Sequence, residues 1–297
     1  MKQTDSIFAY LAALITMLVW GTTFVSSKIL LRSFTPIEIL LMRFLLGYAA
    51  LWLVYPHRIR FGKPREESLF AVAGLCGIML YYLLENTALE FTLAANVGVI
   101  ISVAPLFTAI FAHVFLKGER LNISFVDGFI TALAGVVLIT LNGSLALKLN
   151  PLGDLLAFVA AAVWAVYSIL MKKISVSHRS TITITRKVFF YGIVFMLPVA
   201  VCLGFHPAIA KIAEAQNLFN LLFLGLGASA MCFVTWNFAV SRLGAVKTSV
   251  FIYLVPLITL TSSALVLHEQ ITPMAVTGAI LTIVGLFLSE QKKEREK

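Results

Sequence analysis

The sequence predicts an all-α integral membrane protein of ten transmembrane helices, built as two inverted five-helix repeats. Three observations carry that expectation. Hydrophobic residues fill 60% of 297 positions and charged residues only 12%, against about 45–50% and about 25% in soluble domains. The apolar residues collect into ten runs close to the roughly 20 residues that cross a bilayer. Lastly, Asn86, Ala88, Ala94, Pro105, Leu106 and Thr108 recur as Asn237, Ala239, Ala245, Pro256, Leu257 and Thr259 at an offset of 151. Glu119, Gly128 and Gly135 recur as Glu269, Gly278 and Gly285 at an offset of 150. So many matches in register mark an internal duplication, with units at 1–146 and 147–297.

The first run, Ile7–Leu30, follows Lys2 and has the outline of a signal peptide. Its Trp20 and Lys28 recur as Trp164 and Lys172 at an offset of 144, so it is expected to be a retained part of the repeat. Runs two and three, Ile37–Tyr55 and Leu69–Leu89, flank a basic stretch holding Arg58, Arg60, Lys63 and Arg65. The fourth, Ala94–Leu116, carries Pro105 and ends at Lys117-Gly118-Glu119-Arg120. The fifth, Phe125–Leu141, is short and would span with little tilt; Gly128 and Gly135 permit close helix contact there, as Gly74 and Gly77 do on the third. The second unit repeats the series as Leu152–Met171, Thr181–Leu203, Leu218–Ala239, Ala245–Leu267 with Pro256, and the short Pro273–Leu288.

Basic residues orient membrane helices, since cytoplasmic loops retain Lys and Arg. With both termini cytoplasmic, sixteen basic residues fall on inner segments and three, Arg32, Lys148 and Lys211, on outer loops. An odd number of helices per unit then inverts the second copy. The loop charges agree: the inner turn Lys117-Gly118-Glu119-Arg120 corresponds to His268-Glu269-Gln270, which has lost both cations and would be outer. Inverted repeats make alternating inward and outward access a natural pair of states, with a binding site between the halves. The net charge of +9 therefore reports membrane orientation rather than nucleic-acid binding. Cys76, Cys202 and Cys232 lie within runs with no paired spacing and read as small core residues.

The pattern Asn86-Thr87-Ala88-Leu89-Glu90-Phe91-Thr92, then Ala94-Ala95-Asn96, Pro105-Leu106-Phe107-Thr108 and Glu119-Arg120, together with Trp20-Gly21-Thr22-Thr23-Phe24, resembles the EamA branch of the drug/metabolite transporter superfamily. The resemblance covers essentially the whole chain. It implies ten helices in two inverted units, a plasma-membrane location (the inner membrane in bacteria) and, often, export of amino acids or other small metabolites. The second copy departs from the fuller pattern, since Asn237-Phe238-Ala239-Val240 lacks the leucine and no arginine follows Glu269.

Ionisable residues inside a bilayer cost about 2.5–3.5 kcal/mol each on insertion scales and mark function or pairing. Arg43 and Glu85 sit at comparable depths, which permits either a permanent brace between the second and third helices or a Glu85 that titrates or meets a cationic substrate. Arg186, at the position matching Arg43, is a candidate for a substrate carboxylate, while Lys187 is expected to snorkel to headgroups and Lys28 and Lys172 to anchor at the interface. Pro105 and Pro256 each free a backbone carbonyl, so bends lining a central cavity are expected, with Gly98, Ser102 and Ala109 on one face and Ser249, Tyr253 and Leu260 on its counterpart. Trp20, Thr23, Tyr82, Asn86, Asn96, Trp164, Tyr167, Trp236 and Asn237 are the further candidates, an aromatic pocket with polar groups to orient a small-molecule substrate. Core packing is the competing reading for every aromatic among them.

These features point to a secondary transporter that exports a small, amino-acid-like metabolite, with export of drugs or other organic metabolites as the alternative. A membrane enzyme would need convergent carboxylates, a nucleophile with its base, or metal ligands at helical spacing. His113, His206 and His268 are scattered, Asp127 and Asp154 sit at helix ends, and no cofactor or metal set is evident. There is no Gly-x-x-x-x-Gly-Lys loop for an ATP-driven pump, and the short loops disfavour a sensor. Proton exchange at Glu85 and facilitation without an ion both fit the sequence, as do a monomer and a homodimer.

Overall fold

The computed structural model describes residues 3–59, 61–92, 94–116, 123–141, 150–175, 180–267 and 271–290. Asn96 and Ser263 to Leu267 lie in helices whose side chains are outside the described set, as are Arg60, the Lys117 to Arg120 turn, Lys148, Arg179 and the His268 to Gln270 turn. Among the described residues there is helix and no strand. Each sequence run corresponds to a helix or a close series of helices: α1 Gln3–Leu30, α2 Pro36–Val54, α3 Pro64–Phe91, α4 in the pieces Ala94–Ile101 and Ala104–Phe115, α5 Ile123–Leu141, α6 Pro151–Ile174, α7 Thr181–Cys202, α8 Ala215–Leu243, α9 as Ala245–Ser249, Val250–Tyr253 and Leu254–Leu267, and α10 Pro273–Glu290. Eight are long and apolar enough to cross a membrane; α5 and α10 contribute the shorter apolar stretches Ser124–Ile139 and Pro273–Ser289.

Local chemistry sets the ends. Pro36, Pro64, Pro151 and Pro273 stand at the first turn, where a missing N–H costs nothing. Thr35 and Glu38 form a reciprocal capping box: Thr35 N–H donates to Glu38 Oε2 at 2.8 Å and Glu38 N–H to Thr35 Oγ1 at 3.4 Å. Asn150 Oδ1 caps α6 by accepting from Leu152 and Gly153 N–H. Gly244, at φ 97°, takes the left-handed conformation that turns α8 sharply into α9.

The interior is not regular α-helix throughout. Residues Leu75–Leu80 of α3 and Phe223–Met231 of α8 form π turns that overlap at the repeat offset. Helix α4 breaks at Ser102 and Val103, and α9 tightens to a 3-10 turn at Val250–Tyr253, each immediately before the repeated proline. The cause is shared: Pro105 and Pro256 have no N–H to give Ile101 and Ile252, the residues one turn back.

Glycines set the closest packing. A Cβ on Gly77 would run into the Tyr167 ring, and one on Gly74 would meet the backbone of Gly192 at 2.6 Å, so α3 lies directly on α6 and α7. Gly128 and Gly135 on α5 face Gly285 and Gly278 on α10, the most extensive helix pair. Helix α2 runs between α7 and α8, with its start near the α7–α8 connector and its end beside the start of α7: His206 N–H donates to Glu38, and Arg186 to the carbonyls of Tyr55 and His57. Large apolar side chains such as Phe8, Leu53, Ile130, Leu155, Val201 and Phe287 are exposed on the outside. That surface suits lipid and would be unusual in water.

Two expectations are corrected by side-chain placement. Lys187 is 1% exposed and does not snorkel; its Nζ lies 2.5 Å from Glu67 Oε1, because the first turn of α3 presents a carboxylate to α7. Arg43 and Glu85, both buried, make no contact of salt-bridge length: Arg43 Nε donates to Ser229 Oγ at 3.0 Å and the guanidinium lies 4.4 Å from the centre of the Tyr82 ring. The brace on Arg43 therefore comes from α8 and from an aromatic face.

Candidate functional site: an aromatic chamber at the centre of the bundle

A pocket whose non-atom space of about 440 Å³ includes open solvent lies among α1, α3, α4, α6 and α9. Its wall is Trp20, Thr23, Phe24, Tyr81, Tyr82, Glu85, Ile101, Trp164, Ile252 and Val255. Five residues singled out in the sequence meet here: Trp20, Thr23, Tyr82, Glu85 and Trp164.

The wall forms because α1 and α6 bring their tryptophans edge to face, with ring centres 5.2 Å apart. Tyr81 adds a third ring 4.8 Å from Trp164. Trp236 and Phe233 stand behind, each within 6.0 Å of both tryptophans, and act as backing rather than lining. Glu85, one turn beyond Tyr81 on α3, brings a carboxylate to the wall close to the Tyr81 hydroxyl and within electrostatic reach of Arg43.

Other expected site residues serve the frame. Tyr167 donates to Asn237 Oδ1 at 2.8 Å, and Asn237 Nδ2 donates to Thr185 at 3.0 Å, a closed polar node between α6, α7 and α8. Ser102 and Ser249 return their hydroxyls to the Gly98 and Val246 carbonyls. Tyr253 packs in a separate cluster with Ala109, Phe125 and Phe129. Arg186 donates to the Tyr55 and His57 carbonyls and is not among the residues of the chamber wall. Asn86, fully buried beside Glu85, has neither amide atom hydrogen-bonded. The side chain of Asn96 is outside the described residues.

The bends do reach the cavity, one position away from the expected faces. Ile101 and Ile252 line it, rather than Ser102 and Tyr253, since the break and the 3-10 turn rotate the chain just before each proline. The signal was available: the two isoleucines are identical at the offset of 151, one turn ahead of the repeated prolines. Phe24 and Tyr81 were also missed, although Tyr81 stands one helical turn before Glu85 and so shares its face. Val255 carried no comparable signal.

Repeat-related positions differ in a consistent way. Trp20 Nε1 donates to the Ala228 carbonyl at 2.9 Å, in the π turn of α8, whereas Trp164 Nε1 is buried without a partner. The second copy carries Trp236 where the first has Glu85, and Tyr167 where the first has Thr23. Tyr167 satisfies Asn237, whereas Thr23 lines the chamber and Asn86, the counterpart of Asn237, has no hydrogen-bond partner. The unsatisfied polar groups thus come from both copies, Asn86 from the first and the Trp164 indole from the second. Among the described residues, no group of three or more His, Cys, Asp or Glu is placed to hold a metal ion.

Comparison with known proteins places the chain. It is 30% identical to an uncharacterized transporter of Archaeoglobus fulgidus over 96% of this chain and 98% of that one. It is 28% identical to a probable terminal-alkyne amino-acid exporter of Streptantibioticus cattleyicolor over 98% of this chain and 95% of that one. Identity to a probable amino-acid metabolite efflux pump of Escherichia coli is 25%, over 97% and 95%. A crystal structure of a protein 21% identical to this one shares the fold, with a TM-score of 0.74 over 95% of this chain and 97% of that chain. The model of the EamA-like transporter family matches residues 7–141 and again 151–290, and the chain belongs to that family.

Proposed function

We propose that this protein is a secondary transporter that exports a small, amino-acid-like metabolite through the chamber by alternating access. The observation that carries the reading is the chamber's construction. Two repeat-related pairs, Trp20 with Trp164 and Ile101 with Ile252, line one cavity. A cavity walled by both copies is where exchange of conformations between the copies would switch access. In this reading the chain crosses the membrane ten times, the second five-helix unit inverted, with both termini cytoplasmic in the plasma membrane. The antiparallel contacts of α2 with α7 support the inversion.

At the start of α7, Arg186 grips two carbonyls of the α2–α3 connector and Lys187 pairs with Glu67 at the start of α3, which ties the two units together there. The names of the two relatives described as amino-acid exporters point to the cargo class. The test is counterflow in liposomes: purified protein, preloaded amino acids, and uptake of labelled amino acid with and without an imposed pH gradient. Saturable counterflow of at least one amino acid is expected, and its stimulation by the gradient would assign proton coupling. Absence of counterflow across the amino-acid set would remove this cargo class.

A further inference from the structure

We infer that the chamber selects its cargo by an ammonium group held at Glu85, with an acceptor oxygen of the same molecule taken by Trp164 Nε1; this rests on the transport reading above. The cargo is then a compact primary amine with an apolar body, and an α-amino acid fits both contacts at once.

The charge comes first. Glu85 brings a carboxylate to the wall. Arg43, the cation within electrostatic reach, is not on the wall: its Nε donates to Ser229, its guanidinium lies over Tyr82, and its Nη2 has no hydrogen-bond partner. Glu85 thus lines the cavity beside Tyr81 without being closed by a salt bridge to Arg43. Around it stand Trp20, Tyr81 and Trp164, whose π faces attract ammonium ions within about 6 Å. A carboxylate beside aromatic faces is chemistry that favours a cation over a neutral or anionic ligand.

The second contact follows from the unequal repeats. Trp20 has spent its indole N–H on Ala228, whereas Trp164, its repeat counterpart in contact with it on the same wall, is 3% exposed with its N–H unpartnered. A buried donor without an acceptor costs about 1–3 kcal/mol, so an arriving carboxylate or carbonyl oxygen gains what the protein alone forgoes. Asn86, next to Glu85, holds a further unsatisfied amide in the adjoining turn. The apolar wall of Ile101, Ile252 and Val255 receives the side chain of the cargo. Because Glu85 and the free indole both arise where the copies differ, the cargo has one orientation rather than two related by the pseudo-dyad.

The test uses the full chain in lipid nanodiscs and calorimetric titration with leucine, N-acetyl-leucine, 4-methylpentanoate and 3-methylbutylamine. Leucine is expected to bind about 30-fold or more tightly than either compound lacking the ammonium, the usual consequence of removing one partner of a buried charge pair. In Glu85→Gln, isosteric and uncharged, that discrimination is expected to fall to within about threefold. In Trp164→Phe, the advantage of leucine over 3-methylbutylamine is expected to drop by about tenfold, the worth of one hydrogen bond to a charged group. Equal binding of leucine and N-acetyl-leucine by the wild-type protein, or full discrimination retained in Glu85→Gln, would overturn the inference. Should none of the four bind while an anionic or neutral metabolite shows counterflow in liposomes, ammonium recognition fails and the transport reading stands.

Discussion

Lys187 and Glu67 show how much a buried charge depends on a partner far away in the chain. The Glu67 carboxylate receives Lys187 Nζ at 2.5 Å, the Tyr191 hydroxyl at 2.6 Å and the Gly62 N–H, while Lys187 also lies 4.5 Å from the centre of the Phe70 ring. Glu67→Ala deprives a buried ammonium of its carboxylate and is expected to destabilise by about 3 kcal/mol, read as a lower Tm in detergent. Glu67→Leu with Lys187→Met removes both charges and is expected to recover most of that loss; no recovery would show that the pair contributes little. The sequence could not reveal this pair, since 120 positions separate its members and nothing local links them. It did reveal Trp20, Trp164 and Glu85, because an aromatic or a carboxylate in an apolar run is costly enough to need a reason.

At the scale of elements, the two prolines and the two π turns determine which side chains reach the chamber. Restoring the N–H with Pro105→Ala or Pro256→Ala allows the bond back to Ile101 or Ile252 and straightens the helix. Each variant is expected to keep or raise Tm while slowing counterflow at least about tenfold; unchanged transport would show that the bends are structural only. Gly77→Ala sets a methyl against the Tyr167 ring and is expected to cost about 1–3 kcal/mol by overpacking. Helix positions were legible from apolar runs and proline starts, for their ends are set by local chemistry. The rotation that replaces Ser102 and Tyr253 by Ile101 and Ile252 was not, because regular 3.6-residue counting fails across a break.

Over the whole molecule, duplication supplies the frame and its imperfections supply the chemistry. Matched tryptophans and isoleucines from both copies line the chamber; unmatched Glu85 and Thr23 add polar groups from the first copy, and Trp164 adds an unpartnered indole N–H from the second. The duplication was written in the sequence at fixed offsets; the asymmetry was written there too, as Glu85 opposite Trp236, yet it acquired meaning only with the cavity wall in view. The central claim is that the two units lie in the membrane with opposite orientation. It is tested most directly by replacing Cys76, Cys202 and Cys232 with alanine and introducing single cysteines at His57, in the α2–α3 connector, and at Ala208, in the repeat-related α7–α8 connector. With a membrane-impermeant maleimide on intact cells, Ala208→Cys should be labelled and His57→Cys only after permeabilisation. Labelling of both from the same side of the membrane would contradict the account.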